Sequence, residues 1–137
     1  LSSIVADYAP ETGSVLWTAI ATPRMSFYMP LYVDIDGLPA FCEAFLPGEG
    51  ENTSLFWEFK ELCILTQRRF ARHMEITGKA KREWEAHAAV VLAAHSRDMA
   101  QLPESERRAA RTKFDRAVLT SALETCRETR HALLLQY

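Results

Sequence analysis

The stretch GSVLWTAIATPRMSFYMPLY, residues 13–32, sets the architecture that we predict for this chain. Its first half, SVLWTAIA (14–21), is β-branched, aromatic and apolar on both faces, which is typical of a strand covered on both sides. Its second half holds two prolines, a serine and three aromatic residues in no regular period. Because Pro30 disfavours helix at Met29, this half predicts a stiff, extended or irregular segment that crosses away from the strand.

A second strand is predicted before this stretch. LSSIVADY (1–8) alternates imperfectly and is rich in β-forming residues, and APETG (9–13) has the composition of a turn. The two strands together predict a β-hairpin. Two strands alone form a marginal sheet with exposed edges, so we expect further strands from outside this sequence to pair with them.

Mainly helical structure is predicted beyond residue 36. LPAFCEAF (38–45) predicts a short helix with a proline at its first position, and the composition of PGEGEN (47–52) predicts a loop. A long helix follows, for which Thr53 or Ser54 is the expected N-cap, because apolar residues then recur at steps of three and four.

Gly78 interrupts this helical pattern and predicts a break or a kink, because glycine inside a helix costs about 1 kcal/mol relative to alanine. An amphipathic helix then extends from Trp84 to the region of Pro103, and a last helix begins at that proline. The predicted fold class is therefore α+β in one domain, which we expect to be incomplete. Residues 1–36 supply two strands and the proline and aromatic crossing segment, and residues 37–137 supply the helical region.

Composition argues against several classes of function. The net charge is −2, from 16 basic and 18 acidic side chains that are mixed along the chain, so no field of one sign attracts nucleic acid. The apolar runs fall far short of the ~20 residues of a membrane span, and no signal-peptide pattern is present, which favours a cytoplasmic location. The five glycines are scattered and form no phosphate-binding loop. We therefore expect no cofactor, no nucleic acid and no membrane.

Candidate metal ligands occur only as isolated pairs. His95 with Asp98 and Glu83 with His87 are each spaced to share a helix face, but neither pair has a third ligand nearby in sequence. Zinc needs three or four protein ligands. The sequence therefore predicts no metal site, and these side chains are expected on exposed helix faces.

The three cysteines, Cys42, Cys63 and Cys126, are predicted to be buried thiols. They are odd in number and include no CxxC pair, which is a poor basis for a disulfide framework. Two lie on apolar helix stripes and the third lies among phenylalanines. A catalytic thiol needs a partner base and a lowered pKa, so no catalytic residue is predicted within this chain.

The segment TPRMSFYMPLY (22–32) is the candidate site. Loops that follow strands often carry binding groups on a rigid scaffold, and Ser26, Tyr28 and Tyr32 supply hydroxyl groups there. The alternative is that the aromatic residues of the segment only pack the strand ends onto the helices. The basic clusters QRRFARH (67–73) and ERRAARTKFDR (106–116) are predicted to be solvated helix surface.

The order and spacing of several unusual residues provide a resemblance to a known family. These are a tryptophan in a strand, then prolines, a serine and tyrosines, then two aromatic residues that open a helix: Trp17, Pro23, Ser26, Tyr28, Pro30, Tyr32, Trp57 and Phe59. Over residues 2–70 the chain resembles the C-terminal part of bacterial cysteine dipeptidases of the dipeptidase A type, which belong to the N-terminal-nucleophile (Ntn) hydrolases. The remainder is similar only as a helical tail.

The resemblance implies an αββα sandwich, in which two β-sheets lie between helices and an N-terminal cysteine attacks the peptide bond of a dipeptide. That cysteine would lie upstream of Leu1, and none of the three cysteines of this chain matches it. The implied partners are the remainder of the parent hydrolase and a small peptide substrate. Arg24 lies where related amidases carry an arginine, but the dipeptidase pattern does not require one, so no catalytic role is assigned to it.

Two other functions stay open at the level of sequence. One is a different linear-amide hydrolase of the same superfamily, because one fold hosts several substrates. The other is a non-enzymatic helical interaction module that binds a partner helix or self-associates as a homo-oligomer. The strands distinguish the two classes, because a helical bundle has no need for strands that are apolar on both faces.

Overall fold

The computed structural model describes residues 3–7, 12–42 and 54–136 of the chain. This part has an α+β fold, in which a three-stranded antiparallel sheet precedes three helices. The strands, in their spatial order, are β1 (Ser3–Asp7), β2 (Val15–Ala19) and β3 (Met29–Tyr32). The helices are α1 (Leu55–Arg68), α2 (Phe70–Ala100) and α3 (Glu104–Leu134), with a 3₁₀ turn at Ala40–Cys42.

The third strand corrects the prediction of a two-stranded hairpin with a crossing segment. Residues 29–32 are extended, as the prolines predict, and they pair antiparallel with β2 so that Pro30 lies opposite Trp17. A proline lacks the N–H that a central strand needs, but within the described residues β3 pairs with β2 alone. Proline is tolerated in such an edge strand. The irregular part of the segment is confined to residues 20–28.

The sheet buries one face against the helices and leaves much of the other face uncovered. Four side chains on the helical face are buried: Val15, Ala19, Pro30 and Tyr32. On the opposite face Ile4 is 60% exposed, Leu16 and Leu31 are half-buried, and only Met29, at the start of β3, is buried. The prediction that β2 is covered on both sides is therefore not met by the described part of the chain.

Strand β1 is the least covered element of the sheet. Ile4 is 60% exposed and its neighbour Val5 is 56% exposed, although successive strand residues point to opposite faces. In the described ranges β1 pairs with β2 only, so its outer edge presents unpaired backbone groups. Such an edge can accept a further strand.

Helix α1 begins as predicted, but it ends earlier than predicted. Ser54 is the N-cap, and its Oγ accepts a hydrogen bond from the N–H of Trp57 at 3.3 Å. The break lies at Arg69, where φ is −140° and ψ is 64°. At this end of α1 the Leu65 carbonyl accepts a hydrogen bond from Nδ1 of the buried His73 at 2.7 Å. His73 belongs to the cluster 67–73, so the prediction that this cluster is solvated is wrong at that residue.

Gly78 does not break a helix, contrary to the prediction. It lies inside α2 and is buried, and a Cβ at this position would lie 3.2 Å from Nη1 of Arg82. Nearby, the hydroxyls of Thr66 and Thr77 are 2.9 Å apart and join α1 to α2. Tertiary packing of this turn therefore outweighs the local cost of glycine.

The remaining helical predictions are largely confirmed. Helix α2 ends at Ala100, before Pro103, and α3 follows with Glu104 and Glu106 in its first turn, where acidic side chains are favourable. Within the predicted helix 38–45 the structure describes residues 38–42, and these form only a 3₁₀ turn at Ala40–Cys42. Three predicted features fall wholly or partly outside the described residues: the end of this helix (43–45), most of the turn at 9–13 and the loop at 47–52.

The cysteine predictions are confirmed for two of the three residues. Cys63 and Cys126 are buried, whereas Cys42 is half-buried. Cys42 lies in the 3₁₀ turn that packs against α1. Among the described helices, none is long and apolar enough to cross a membrane.

Candidate functional site

The structure divides the predicted site residues between two places. Trp17 and Tyr28 line a cavity of about 440 Å³, together with Val5 of β1 and two residues of α2, Glu85 and Ala86. We call it the tryptophan cavity. It lies on the helical side of the sheet, beside the exposed strand β1. Its walls are mainly apolar, with one carboxylate.

Pro23 and Ser26 are connected to this cavity through Lys81 of α2. The ammonium group of Lys81 donates hydrogen bonds to the carbonyl oxygens of Pro23, at 3.0 Å, and Ser26, at 2.6 Å. It also forms an ion pair with Glu85 at 3.1 Å, and Glu85 accepts a hydrogen bond from the N–H of Tyr28. Two side chains one turn apart on α2 therefore hold the loop between β2 and β3 in place.

Lys81 and Glu85 were not predicted as functional residues. Their i,i+4 spacing is the same as that of Lys79 and Glu83, which are 70% and 69% exposed. Sequence spacing alone does not distinguish a partly buried ion pair that holds a loop from an ion pair on the surface. The available signal was the neighbouring Trp84 of the apolar stripe, which places residue 81 one turn away from a buried position.

Ser26 carries no sign of nucleophilic activation. Its side chain is fully buried, and its hydroxyl has no hydrogen-bond partner among the described residues. The nearby ammonium of Lys81 bonds to the Ser26 carbonyl rather than to the hydroxyl. An activated serine needs a base within hydrogen-bond reach of its hydroxyl. The loop around Ser26 is therefore built to position the chain and not to attack a substrate.

Tyr32 lies away from the tryptophan cavity and joins β3 to α2 and α3. Its hydroxyl is 3.1 Å from Nδ1 of His95 and 3.1 Å from Oγ of Ser96, and its ring meets Phe114 edge-on at 5.3 Å. Burial raises the pKa of Tyr32 and lowers the pKa of His95. Both groups are therefore neutral at neutral pH, and their contact is a hydrogen bond between uncharged groups.

Asp115 lies next to Tyr32 and is the most perturbed carboxyl group of the described chain. Its side chain is 1% exposed, and Oδ1 accepts a hydrogen bond from the N–H of Tyr32 at 2.8 Å. Burial raises its pKa to about 7, against the opposing effects of this hydrogen bond and of Arg111. The other oxygen, Oδ2, has no hydrogen-bond partner among the described residues.

Arg111 does not neutralise Asp115, because its guanidinium is engaged elsewhere. Its Nε donates to the carbonyl oxygen of Asp34 at 2.7 Å, and its Nη2 pairs with the Asp34 carboxylate at 3.0 Å. Arg111 is only 8% exposed. The prediction that the cluster 106–116 is solvated surface is therefore wrong at Arg111 and Asp115. The signal for Asp115 was its place beside Phe114 on the apolar stripe of α3.

The thiols of the core are inert in the described structure. Burial raises the pKa of Cys63 and raises that of Cys126 well above its usual range, which is the opposite of what a nucleophilic thiol requires.

Within the described ranges, no group of three or more His, Cys, Asp or Glu side chains is arranged to hold a metal ion. Arg24 is exposed and lies over the ring of Phe70 at 5.0 Å.

Replacing Lys81 by Met is expected to lower the free energy of unfolding by about 1.5–3 kcal/mol, because carbonyl oxygens and a carboxylate lose a charged hydrogen-bond donor. Urea denaturation followed by circular dichroism measures the change. Lys79→Met is the matched control, since Lys79 is 70% exposed, and it is expected to change stability by less than about 0.5 kcal/mol. Equal effects of the two substitutions would show that Lys81 does not brace the loop.

In comparisons with known proteins, the chain matches no protein-family model and no curated protein.

Proposed function

We propose that this chain is the C-terminal segment of a dipeptidase-like cysteine hydrolase, which cleaves the peptide bond of dipeptides. The chain contributes one sheet and one helical layer of an αββα sandwich, and a preceding part of the protein contributes the nucleophilic cysteine. The observation that carries the proposal is the apolar sheet face that the described residues leave uncovered. An apolar sheet face is stable when a second layer packs on it.

An αββα sandwich requires further β structure at two places, on the uncovered face of this sheet and at its open edge. Ile4 is 60% exposed, Val33 56% and Leu38 46%. Val33 and Leu38 line one cavity with the half-buried Leu16 and Leu31, and Ile4 pairs with Thr18 of the same cavity. Exposed apolar patches of this kind mark contact surfaces. A second sheet packs about 10 Å from the first in a sandwich, and further strands add to the open edge of β1.

The chemistry of the whole enzyme would begin at the missing cysteine. Its thiol would attack the carbonyl carbon of the dipeptide, and its own α-amino group would accept the thiol proton. The two buried thiols, Cys63 and Cys126, do not suit this role because burial raises the pKa of both. The braced loop with Trp17 and Tyr28 would support the sheet beside the substrate. No catalytic residue is assigned within this chain.

The substrate class within the superfamily depends on residues outside this chain, so another linear-amide hydrolase is the nearest alternative. A helical interaction module is a second candidate function, and one observation favours it. A groove of about 220 Å³ between α2 and α3 is lined by apolar side chains, including Trp84, Val91, Phe114 and Val118. The uncovered sheet face has no role in such a module, so we place it second.

The chain alone is expected to hydrolyse no dipeptide. The measurement is incubation with Leu-Leu and quantification of free leucine by mass spectrometry, with buffer as the reference. The physical reason is that the Ser26 hydroxyl has no base within reach and that burial raises the pKa of Cys63 and Cys126. Turnover at an ordinary enzymatic rate, on the order of 1 s⁻¹ or faster, would contradict the proposal.

The decisive experiment extends the reading frame upstream of Leu1. We expect an in-frame cysteine that becomes N-terminal after processing, and we expect the extended protein to release leucine from Leu-Leu. The matched control replaces that cysteine by alanine in the extended protein, which should abolish turnover while the protein stays folded. An upstream frame without such a cysteine, or an alanine variant with full activity, overturns the proposal.

A further inference from the structure

The groove beside Asp115 has the features of a ligand site. A cavity of about 300 Å³ is lined by residues of β2 and β3, by positions 33, 35, 37 and 38, and by Asp115 of α3. We call it the aspartate cavity. We propose that it binds a small organic cation, with the ammonium group held by Asp115 and an aliphatic body held by the sheet. The inference does not depend on the proposed hydrolase function, and because a second sheet would cover the same apolar residues, it concerns the chain without that sheet.

The first argument is the unsatisfied carboxylate. One oxygen of Asp115 is fixed by the N–H of Tyr32, and the other has no hydrogen-bond partner among the described residues. Buried polar groups normally have partners, because an unpaired one loses its hydration without compensation. The guanidinium of Arg111, whose charge acts on Asp115, is already bonded to Asp34. A ligand that donates an N–H group would supply the missing partner.

The second argument is the composition of the cavity walls. The aliphatic lining residues are Leu16, Leu31, Val33, Ile35 and Leu38. Thr18, Tyr32 and Gly37 complete the lining, and Asp115 is the one carboxylate among the lining residues. Ligand sites commonly combine an apolar surface with a few polar groups that fix orientation. This wall suits a branched aliphatic group, and it offers no cation to hold an anion.

The third argument concerns the kind of cation. A guanidinium binds best to two carboxylate oxygens at once, but Oδ1 of Asp115 is already used by Tyr32. A compact ammonium needs only the remaining oxygen. A calcium ion needs six to eight oxygen ligands, which this wall does not supply. Burial raises the pKa of Asp115, and a bound cation would lower it, because a cation favours the ionised carboxylate.

The test is a titration of the chain with 3-methylbutylamine at a pH of about 8, where a carboxyl with a pKa of about 7 is mostly ionised. The uncharged analogue 3-methylbutan-1-ol is the reference ligand. Two-dimensional NMR reports binding, because the amide of Tyr32 bonds directly to Asp115. We expect the amine to shift this amide at millimolar concentrations and to bind at least about tenfold more tightly than the alcohol.

Two variants separate the carboxylate from the general charge of the surface. Asp115→Asn keeps the shape and an acceptor for Tyr32, and it is expected to reduce the affinity for the amine at least about tenfold. Asp36→Asn removes a carboxylate that is 63% exposed and should leave the affinity unchanged. The amide spectrum of each variant checks that it is folded. Equal affinity for amine and alcohol, no binding of the amine, or unchanged affinity in Asp115→Asn would each overturn the proposal.

Discussion

Replacing Phe27 by Ala is expected to lower the free energy of unfolding by about 3–5 kcal/mol. Phe27 is fully buried in the loop between β2 and β3. Its ring meets Phe59 of α1 edge-on at 5.2 Å and stacks on Trp84 of α2 at 5.6 Å. One side chain therefore joins the loop to two helices, and its removal leaves a cavity among large rings that do not collapse easily. Urea denaturation followed by tryptophan fluorescence measures the loss.

The matched control is Phe56→Ala on the first turn of α1. Phe56 is 38% exposed and its ring contacts the neighbouring Trp57, so its truncation is expected to lower stability by about 1 kcal/mol or less. The two variants remove the same atoms and differ in burial. If both lost the same stability, Phe27 would not be the link between the loop and the helices.

The local features of the fold were predicted well from sequence. The cap at Ser54, the end of α2 before Pro103 and the acidic start of α3 all depend on residues within one helical turn of each other. The strand at residues 15–19 lies within the predicted strand 14–21. These features follow from backbone chemistry, which does not need the rest of the fold to be known.

The errors arose where tertiary contacts outweigh local preference. Residues 29–32 become a strand because β2 offers a partner and an edge position tolerates Pro30. The helix breaks at Arg69 rather than at Gly78, and His73 donates a hydrogen bond to the Leu65 carbonyl near this break. In each case the deciding partner is identified by the folded structure and not by the sequence pattern alone.

The candidate site was also predicted only in part, because its aromatic residues are visible in the sequence and their charged partners are not. Trp17 and Tyr28 were predicted and lie together at the tryptophan cavity, because their aromatic character is visible in the sequence. Their braces come from far along the chain: Glu85 is 57 positions from Tyr28, and Asp115 is 83 positions from Tyr32. Charged residues of helices are mostly solvated, so only the three-dimensional structure distinguishes these two from the exposed majority.

Replacing Asp115 by Asn is expected to stabilise the protein, by as much as about 4 kcal/mol at a pH of about 8. Folding raises the pKa of this carboxyl from 3.8 to about 7, so the folded state binds the proton more tightly than the unfolded state. Stability is therefore greatest below the unfolded value, falls as the pH rises towards the folded value, and stays reduced above it. Asparagine removes the ionisable group but keeps an acceptor for the N–H of Tyr32.

The gain from Asp115→Asn should therefore depend on pH, and urea denaturation at about pH 4 and about pH 8 measures it. We expect a small difference at the lower pH and the full gain at the higher pH, whereas Asp36→Asn, at a side chain 63% exposed, should show no such trend. A gain that is the same at both pH values would show that Asp115 does not titrate in the folded state as described. A carboxylate whose ionisation weakens the fold, and whose replacement stabilises the fold while weakening amine binding, is explained better by a ligand than by packing.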